Sequence, residues 1–266
     1  MKTINVNLSR DLRNIKIITV ADWHIGNPTC NYQLIEEELN YIKTNEDVYV
    51  ILNGDILENI TKTSLGDIYT QQMSPMEQLH KAVELLYPIK DKILCITSGN
   101  HCDRSYKTDG VDLMRVVARE LGIEDKYSNA SCVLFVRLGE SEKNLKETNG
   151  SGKRRQICYT LYVVHGLSGG GSIGAKSNTV AKLQGIIDTD IYIMSHLHSP
   201  NTFKESYYRV DTRNNTVALV DKLFVISGAK LDWNGSYAEK KSIKPSSLVN
   251  PIITLDGRKK HFTAHL

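Results

Sequence analysis

Short apolar runs alternate with amphipathic segments through the first half of the chain, the pattern of βα units whose strands are buried on both faces. Ile15 to Val20 reads as a strand. Leu34, Ile35, Leu39 and Ile42 then recur at helical spacing, and Val48 to Leu52 supplies the next strand. Ser74-Pro75-Met76-Glu77 combines a capping box with proline at the first helical position, and Met76, Leu79, Val83 and Leu86 follow on one face of the helix it begins. Ile93 to Thr97 forms a third strand. Asp109 is placed to cap a further helix through Leu113, Val116 and Val117, with its stop at Gly122.

From residue 131 the pattern turns β-rich: Cys132 to Leu138, Ile157 to Val164, Ile191 to Met194, Ser206 to Val210 and Thr216 to Ser227 predict a second sheet. The polar stretch from Gly139 to Gln156 reads as a long hairpin loop, and Asp211 to Asn215 as a turn. One helix intervenes, with Ser177 as its cap and Val180, Leu183 and Ile187 on its core face. Asp256-Gly257 sits between Pro251 to Leu255 and His261 to Ala264 as a hairpin turn. With no internal repeat or linker, the expectation is one α/β domain over 1–266, motifs at 15–200 and a β-rich completion at 201–266.

Polar clusters follow these strands directly. Ala21-Asp22-Trp23-His24 follows the first, Asn53-Gly54-Asp55 the second and Gly99-Asn100-His101 the third. Val164-His165-Gly166 and Ser195-His196-Leu197-His198 end two later ones. Open α/β sheets place ligands at these strand ends. Each fragment alone is more often a turn or a solvated strand end, and His165 alone a hydrogen-bonded core residue. Together they collect carboxylate, imidazole and amide donors suited to borderline divalent metals such as Mn, Fe or Zn.

The ordered set Asp-x-His, Gly-Asp, Gly-Asn-His, His and His-x-His, over about residues 15 to 200, resembles the calcineurin-like metallophosphoesterase superfamily. The resemblance implies a four-layer αββα sandwich and two divalent metal ions, with Mn favoured. Asp22, His24 and His198 would hold one ion and Asn100, His165 and His196 the other, with Asp55 between them. A water acidified by both ions would attack phosphorus, and His101 would give a proton to the leaving oxygen. Many members place an acid directly after Gly-Asn-His; here Cys102 stands there and Asp103 one later, as a candidate to orient His101. The last motif begins with Ser195 where the family has glycine.

Arg104 reads equally as a phosphate clamp or a surface ion pair. Gly169-Gly170-Gly171 reads better as a connector than as a substrate contact, and Tyr69 and Gln71 are candidates on a loop past a strand end. Lys153-Arg154-Arg155 and Arg258-Lys259-Lys260 read as solvated faces rather than nucleic-acid tracks. His80, His261 and His265 lie away from the strand ends.

Gly54-Asp55-Ile56-Leu57-Glu58-Asn59 lacks the Asp-Arg-Gly ending of the protein Ser/Thr phosphatase branch. Its style is similar to that of the DNA repair exonuclease and phosphodiesterase branch, without room for that branch's added domains. The implied substrate is a phosphodiester in nucleic acid, DNA or RNA, or a nucleotide-like diester; a phosphomonoesterase or a non-catalytic scaffold are the alternatives. The 33 basic and 30 acidic residues leave only +3, which does not announce a nucleic-acid binder. Five cysteines without a CxxC pair argue against a disulfide framework and for a reducing cytoplasm. Neither a secretory leader nor an apolar run of about 18 residues is present, so the reading is a cytoplasmic protein without a membrane segment.

Overall fold

The computed structural model describes residues 1–64, 68–142, 155–166 and 170–266. Its chain forms two six-stranded mixed sheets with helices on their outer faces. The first sheet is built on β2 (Asn14–Val20), β3 (Val48–Asn53) and β4 (Ile93–Thr97), parallel neighbours continued by the short β5 (Tyr127–Ser128). Its other edge is the hairpin of β11 (Ile252–Asp256) and β12 (Phe262–His265), antiparallel to β2. The second sheet runs β1 (Lys2–Asn7), β6 (Cys132–Leu138), β7 (Ile157–Val164), β8 (Ile191–Met194), β10 (Thr216–Ile226) and β9 (Asn201–Asp211).

Because both faces of the central strands are covered, their side chains divide by period two into separate cores. Ile15, Ile17 and Ile51 meet Tyr159, Leu161, Ile191 and Val225 between the sheets. Val20, Val50 and Leu52 face α1 (Tyr32–Thr44), α2 (Pro75–Leu86) and α4 (Leu113–Glu120). Tyr162, Tyr192 and Phe224 face α5 (Ile173–Ala181). This is the expected αββα sandwich. The capping box is present at α2, where Ser74 and Glu77 bond each other's backbone N–H.

Several boundaries differ from the sequence reading. Asp109 does not cap a helix but ends α3 (Asp103–Asp109), where Gly110 turns left-handed at φ 71°; Asp112 caps α4 by accepting from the Arg115 N–H. Ser177 lies inside α5, its hydroxyl bonded back to the Ile173 carbonyl, and Ser172 is the cap. β9 starts five residues earlier than expected and pairs with β10 through all eleven of its residues. β1, unforeseen, pairs parallel with β6. Strands β6 and β7 pair antiparallel as the hairpin reading required, although residues 143–154 of the connection, with Lys153 and Arg154, lie outside the described residues.

Buried polar side chains join the two sheets at both ends: at one, the Tyr159 hydroxyl of β7 donates to the Asp256 carbonyl of β11 at 2.7 Å. At the other, fully buried Asn53, at the end of β3, donates to the Val164 carbonyl at 2.9 Å and to Ser195 Oγ at 2.7 Å, and accepts from Thr97 Oγ1 at 2.7 Å. Replacing it by alanine removes three buried hydrogen bonds, each worth about 1 kcal/mol. Urea denaturation of Asn53→Ala is expected to show a loss of about 3 kcal/mol, and a loss under 1 kcal/mol would mean that the joint lies elsewhere.

Candidate metal centre

Five strand ends converge on one seam. Strands β2, β3 and β4 deliver Asp22, His24, Asp55, Asn100 and His101 from the first sheet; β7 and β8 deliver His165, His196 and His198 from the second. The backbone turns sharply there. Of eight non-glycine residues with positive φ among the described residues, six are Asp22, His24, Asp55, Asn59, His196 and His198, at 46° to 66°. Asp, Asn and His enter the left-handed region more readily than most residues, yet each such position still costs about 1–3 kcal/mol. Glycine is required at two motif positions by close approach. A Cβ on Gly54, at φ 83°, would sit 2.4 Å from His165 Nδ1, and one on Gly99 2.1 Å from Asp55 Oδ1.

Three groups among the described residues have candidate ligand atoms within 4.8 Å of one another: Asp22, His24 and His198; Asp55, His165 and His196; and His24, Glu58 and His101, which shares His24 with the first. Asp22 Oδ1 lies 3.1 Å from His198 Nε2 and 3.9 Å from the Nε2 atoms of both His24 and His165, and Asp55 Oδ2 lies 3.1 Å from His165 Nε2. The second oxygen of each aspartate is fixed by a backbone donor, Asp22 Oδ2 by the His196 N–H and Asp55 Oδ1 by the His101 N–H. His24 Nδ1 donates to Glu58 Oε2 at 2.8 Å, and His165 Nδ1 to the Asn53 carbonyl at 2.7 Å. Both acceptors lack protons, so each ring's hydrogen is placed on Nδ1 and its Nε2 points into the seam.

Six buried side-chain polar atoms among the described residues make no hydrogen bond, and four of them are Asp22 Oδ1, His24 Nε2, Asn100 Oδ1 and His165 Nε2. Leaving such atoms unpaired is costly. One or more divalent cations would satisfy such atoms, and the mixed oxygen and nitrogen donors fit that class of ion.

Burial alone would raise both aspartates, but His198 and His165 hold Asp22 below the usual carboxylate range, and His165, His101 and His24 do the same to Asp55. Glu58 is also lowered, hydrogen bonds from His101 and His24 outweighing its burial. Burial lowers His24, with His101 adding to it, and burial with neighbouring His165 lowers His196. Against their burial, Asp55 pushes His165 up to about 9 and Asp22 raises His198.

The calcineurin-like phosphoesterase family profile matches residues 15–200, the span that carries every one of these ligands. The chain belongs to that family. Solved structures similar to this phosphoesterase-family chain include a double mutant of Vps29 from Entamoeba histolytica, with 14% identity, coverage of 94% of this chain and 90% of that one, and a TM-score of 0.44. A metallophosphoesterase from Sphaerobacter thermophilus has 14% identity, coverage of 91% and 84%, and a TM-score of 0.37. A predicted phosphoesterase from Streptococcus pneumoniae has 13% identity, coverage of 92% and 85%, and a TM-score of 0.38. A search of curated protein sequences returned no match.

The departures from the family motifs have local explanations. Ser195 does not adopt positive φ, so glycine is not demanded there, and its hydroxyl accepts from Asn53 and donates to Ser227 Oγ. Cys102 is buried in the core beside the α-helices. Asp103 opens α3 and accepts from Ser98 Oγ at 3.1 Å. The carboxylate against the His101 ring belongs to Glu58, with Oε2 3.6 Å from His101 Nδ1, while that nitrogen donates to the Glu58 carbonyl at 3.0 Å. Arg104 is half-buried: Nη1 donates to the same carbonyl and lies 4.0 Å from Glu58 Oε1, and Nη2 donates to His101 Nε2, both hydrogen bonds at 3.0 Å. Glu58 and Asn59 received no role in the sequence reading. The available signal was a Glu-Asn pair directly after the apolar Ile56-Leu57 at a strand-end motif, where a charge could be buried only with partners.

The remaining candidates sit apart. Gln71 accepts from the Ile60 N–H, Tyr69 is 95% exposed, and Gly169 lies outside the described residues. Arg258 to Lys260 turn at the opposite end of β2 from Asp22, where Lys260 pairs with Asp190 at 2.9 Å. No helix among the described residues is long and apolar enough to cross a membrane.

Two outcomes are expected of metal binding. His165, at about 9, carries an extra proton at neutral pH that a metal ion must displace, so affinity for Mn²⁺ should rise about tenfold per pH unit for that proton up to pH about 9. Calorimetric titrations at pH 6, 7 and 8 that give one constant would contradict this. Glu58→Ala frees His24 Nδ1 and should weaken metal binding by about 10–100-fold.

Proposed function

We propose that the protein is a dinuclear metal-dependent phosphodiesterase acting on nucleic acid or a nucleotide-like diester. The observation that carries this reading is that three of the four unpaired ligand atoms come together from both sheets, Asp22 Oδ1 lying 3.9 Å from His24 Nε2 and from His165 Nε2. Asp22, His24 and His198 would hold one ion, Asn100, His165 and His196 the other, with Asp55 between, and Mn is the favoured metal. When bound, the ions supply the positive charge that polarises a phosphate and acidifies water.

The protein's own groups do the rest. His101 stands with its ring edge-on to His24 at 4.4 Å between centroids, so it borders the Asp22 and Asp55 ligand sets without being needed in either. Its backbone is held by Asn59, whose side-chain amide donates to the His101 carbonyl at 2.9 Å. An anionic substrate would draw the Arg104 guanidinium off His101 Nε2 toward phosphate oxygens, and that nitrogen, freed to take up a proton from solvent, would pass it to the leaving oxygen. The centre is open toward solvent at His198, whose side chain is 36% exposed, and at His101, at 18%. An open rim admits a chain continuing on both sides of a phosphate, whereas a monoesterase closes around a terminal one; this opening favours the diester and the exonuclease-like branch.

Purified protein with added Mn²⁺ is expected to hydrolyse bis-p-nitrophenyl phosphate. Asp55→Ala should abolish turnover while keeping the wild-type circular dichroism spectrum, and His101→Asn should lower kcat by about 10²–10⁴. Activity restricted to p-nitrophenyl phosphate would turn the assignment to a monoesterase, and inertness toward every ester by the metal-loaded protein would turn it to a scaffold.

A further inference from the structure

The loop following β3 and the turn between α3 and α4 line an open hollow of about 640 Å³, the size of a small-molecule site. Ile60 and Leu113 are buried in its lining and Met73 partly so, while Ile68, Met76 and Val111 line it with 38%, 56% and 44% of their surface in water. Three exposed large apolar side chains around one hollow form an uncovered patch of the kind that marks a binding surface. The wall nearest the metal centre is Ser105. Its hydroxyl donates to Asn59 Oδ1 at 2.7 Å, and the other end of that amide holds the His101 carbonyl. One asparagine side chain therefore separates the hollow from the residue that would serve the leaving oxygen.

The lining specifies an occupant. The exposed thioether of Met76 favours contact with an aromatic ring, Met73 beside it being turned onto the Tyr32 hydroxyl, and the amide of Gln72 and carboxylate of Asp109 at the margin suit a ring with polar edges. We infer that this cavity seats the base of the leaving nucleoside, making the enzyme selective for diesters whose departing alcohol carries a heteroaromatic ring. The inference rests on the diesterase reading above and adds the side of the scissile bond on which recognition occurs.

The test uses two dinucleotides with the same ester bond, one with adenine on the departing sugar and one with that sugar abasic. The Mn-loaded protein should cleave the adenine form with kcat/KM at least about tenfold higher, mainly through KM, and Val111→Asp and Met76→Glu should each pull that ratio toward one. Separately, adenosine should shift the Met73 and Met76 methyl resonances of the protein. Cleavage of both substrates at equal kcat/KM, or a ratio unmoved by both substitutions, overturns the inference. Shifted methyl resonances without cleavage of any diester keep the ring site and overturn the diesterase reading instead.

Discussion

Asp22 and Asp55 are both buried with essentially no exposure, Asp55 adds to the cost of ionising Asp22, and both are nevertheless held below the usual carboxylate range by the imidazoles around them. The structure depends on that concentration of charge. Left to protein groups alone, it ends in atoms without partners, and six residues in left-handed backbone add strain of about 1–3 kcal/mol each. Close-packed sheets can hold such a constellation, and divalent cations would relieve its unpaired acceptors. Ion binding and stability would then be linked in this fold, because an ion held only by the folded chain stabilises it.

The position of the seam explains why the joint between the sheets is polar where the rest of their interface is aliphatic. The interior between them is Ile, Leu, Val and Tyr along most of each strand. At the carboxyl ends Asn53, Thr97, Ser195 and Ser227 replace that packing by a buried chain of hydrogen bonds, and there the His196 N–H reaches across to Asp22. Apolar contacts between sheets tolerate small slides, whereas directed bonds do not. Ligands drawn from two sheets require the second kind, and Ser195 contributes to it with a hydroxyl that glycine lacks.

Much of this was legible in the sequence because the strands that carry ligands are also the apolar ones. β2, β3, β4, β7 and β8 are largely apolar runs ended abruptly by a polar motif, so one pattern located both strand and candidate ligand. The elements that escaped lack that contrast. β1 is Lys-Thr-Ile-Asn-Val-Asn, an edge strand with two aliphatic residues. α3 is Asp-Arg-Ser-Tyr-Lys-Thr-Asp, with no apolar stripe at all. Misplaced caps had a simpler cause: Asp109 and Asp112, or Ser172 and Ser177, are equivalent as residue types, and only the left-handed Gly110 or the packing of Val180 decides between them.

Glu58 marks the limit of reading roles from spacing. The acid near His101 does not follow His101 in the chain; it arrives from the loop after β3, forty-odd residues earlier, and binds His24 with the same carboxylate. Asp103, the nearer residue in sequence, leads the first turn of α3 and is occupied by Ser98. A helix that starts immediately after Gly-Asn-His rotates successive side chains by about 100°, so Cys102, Asp103 and Arg104 point in three directions: into the core, toward Ser98 and back onto the imidazole. Of these three, Arg104 alone reaches the His101 ring, and a carboxylate from another strand end is needed for the opposite charge. Motif order along the chain therefore specifies which groups reach the seam, while the partners that orient them are set by which loops the two sheets bring side by side.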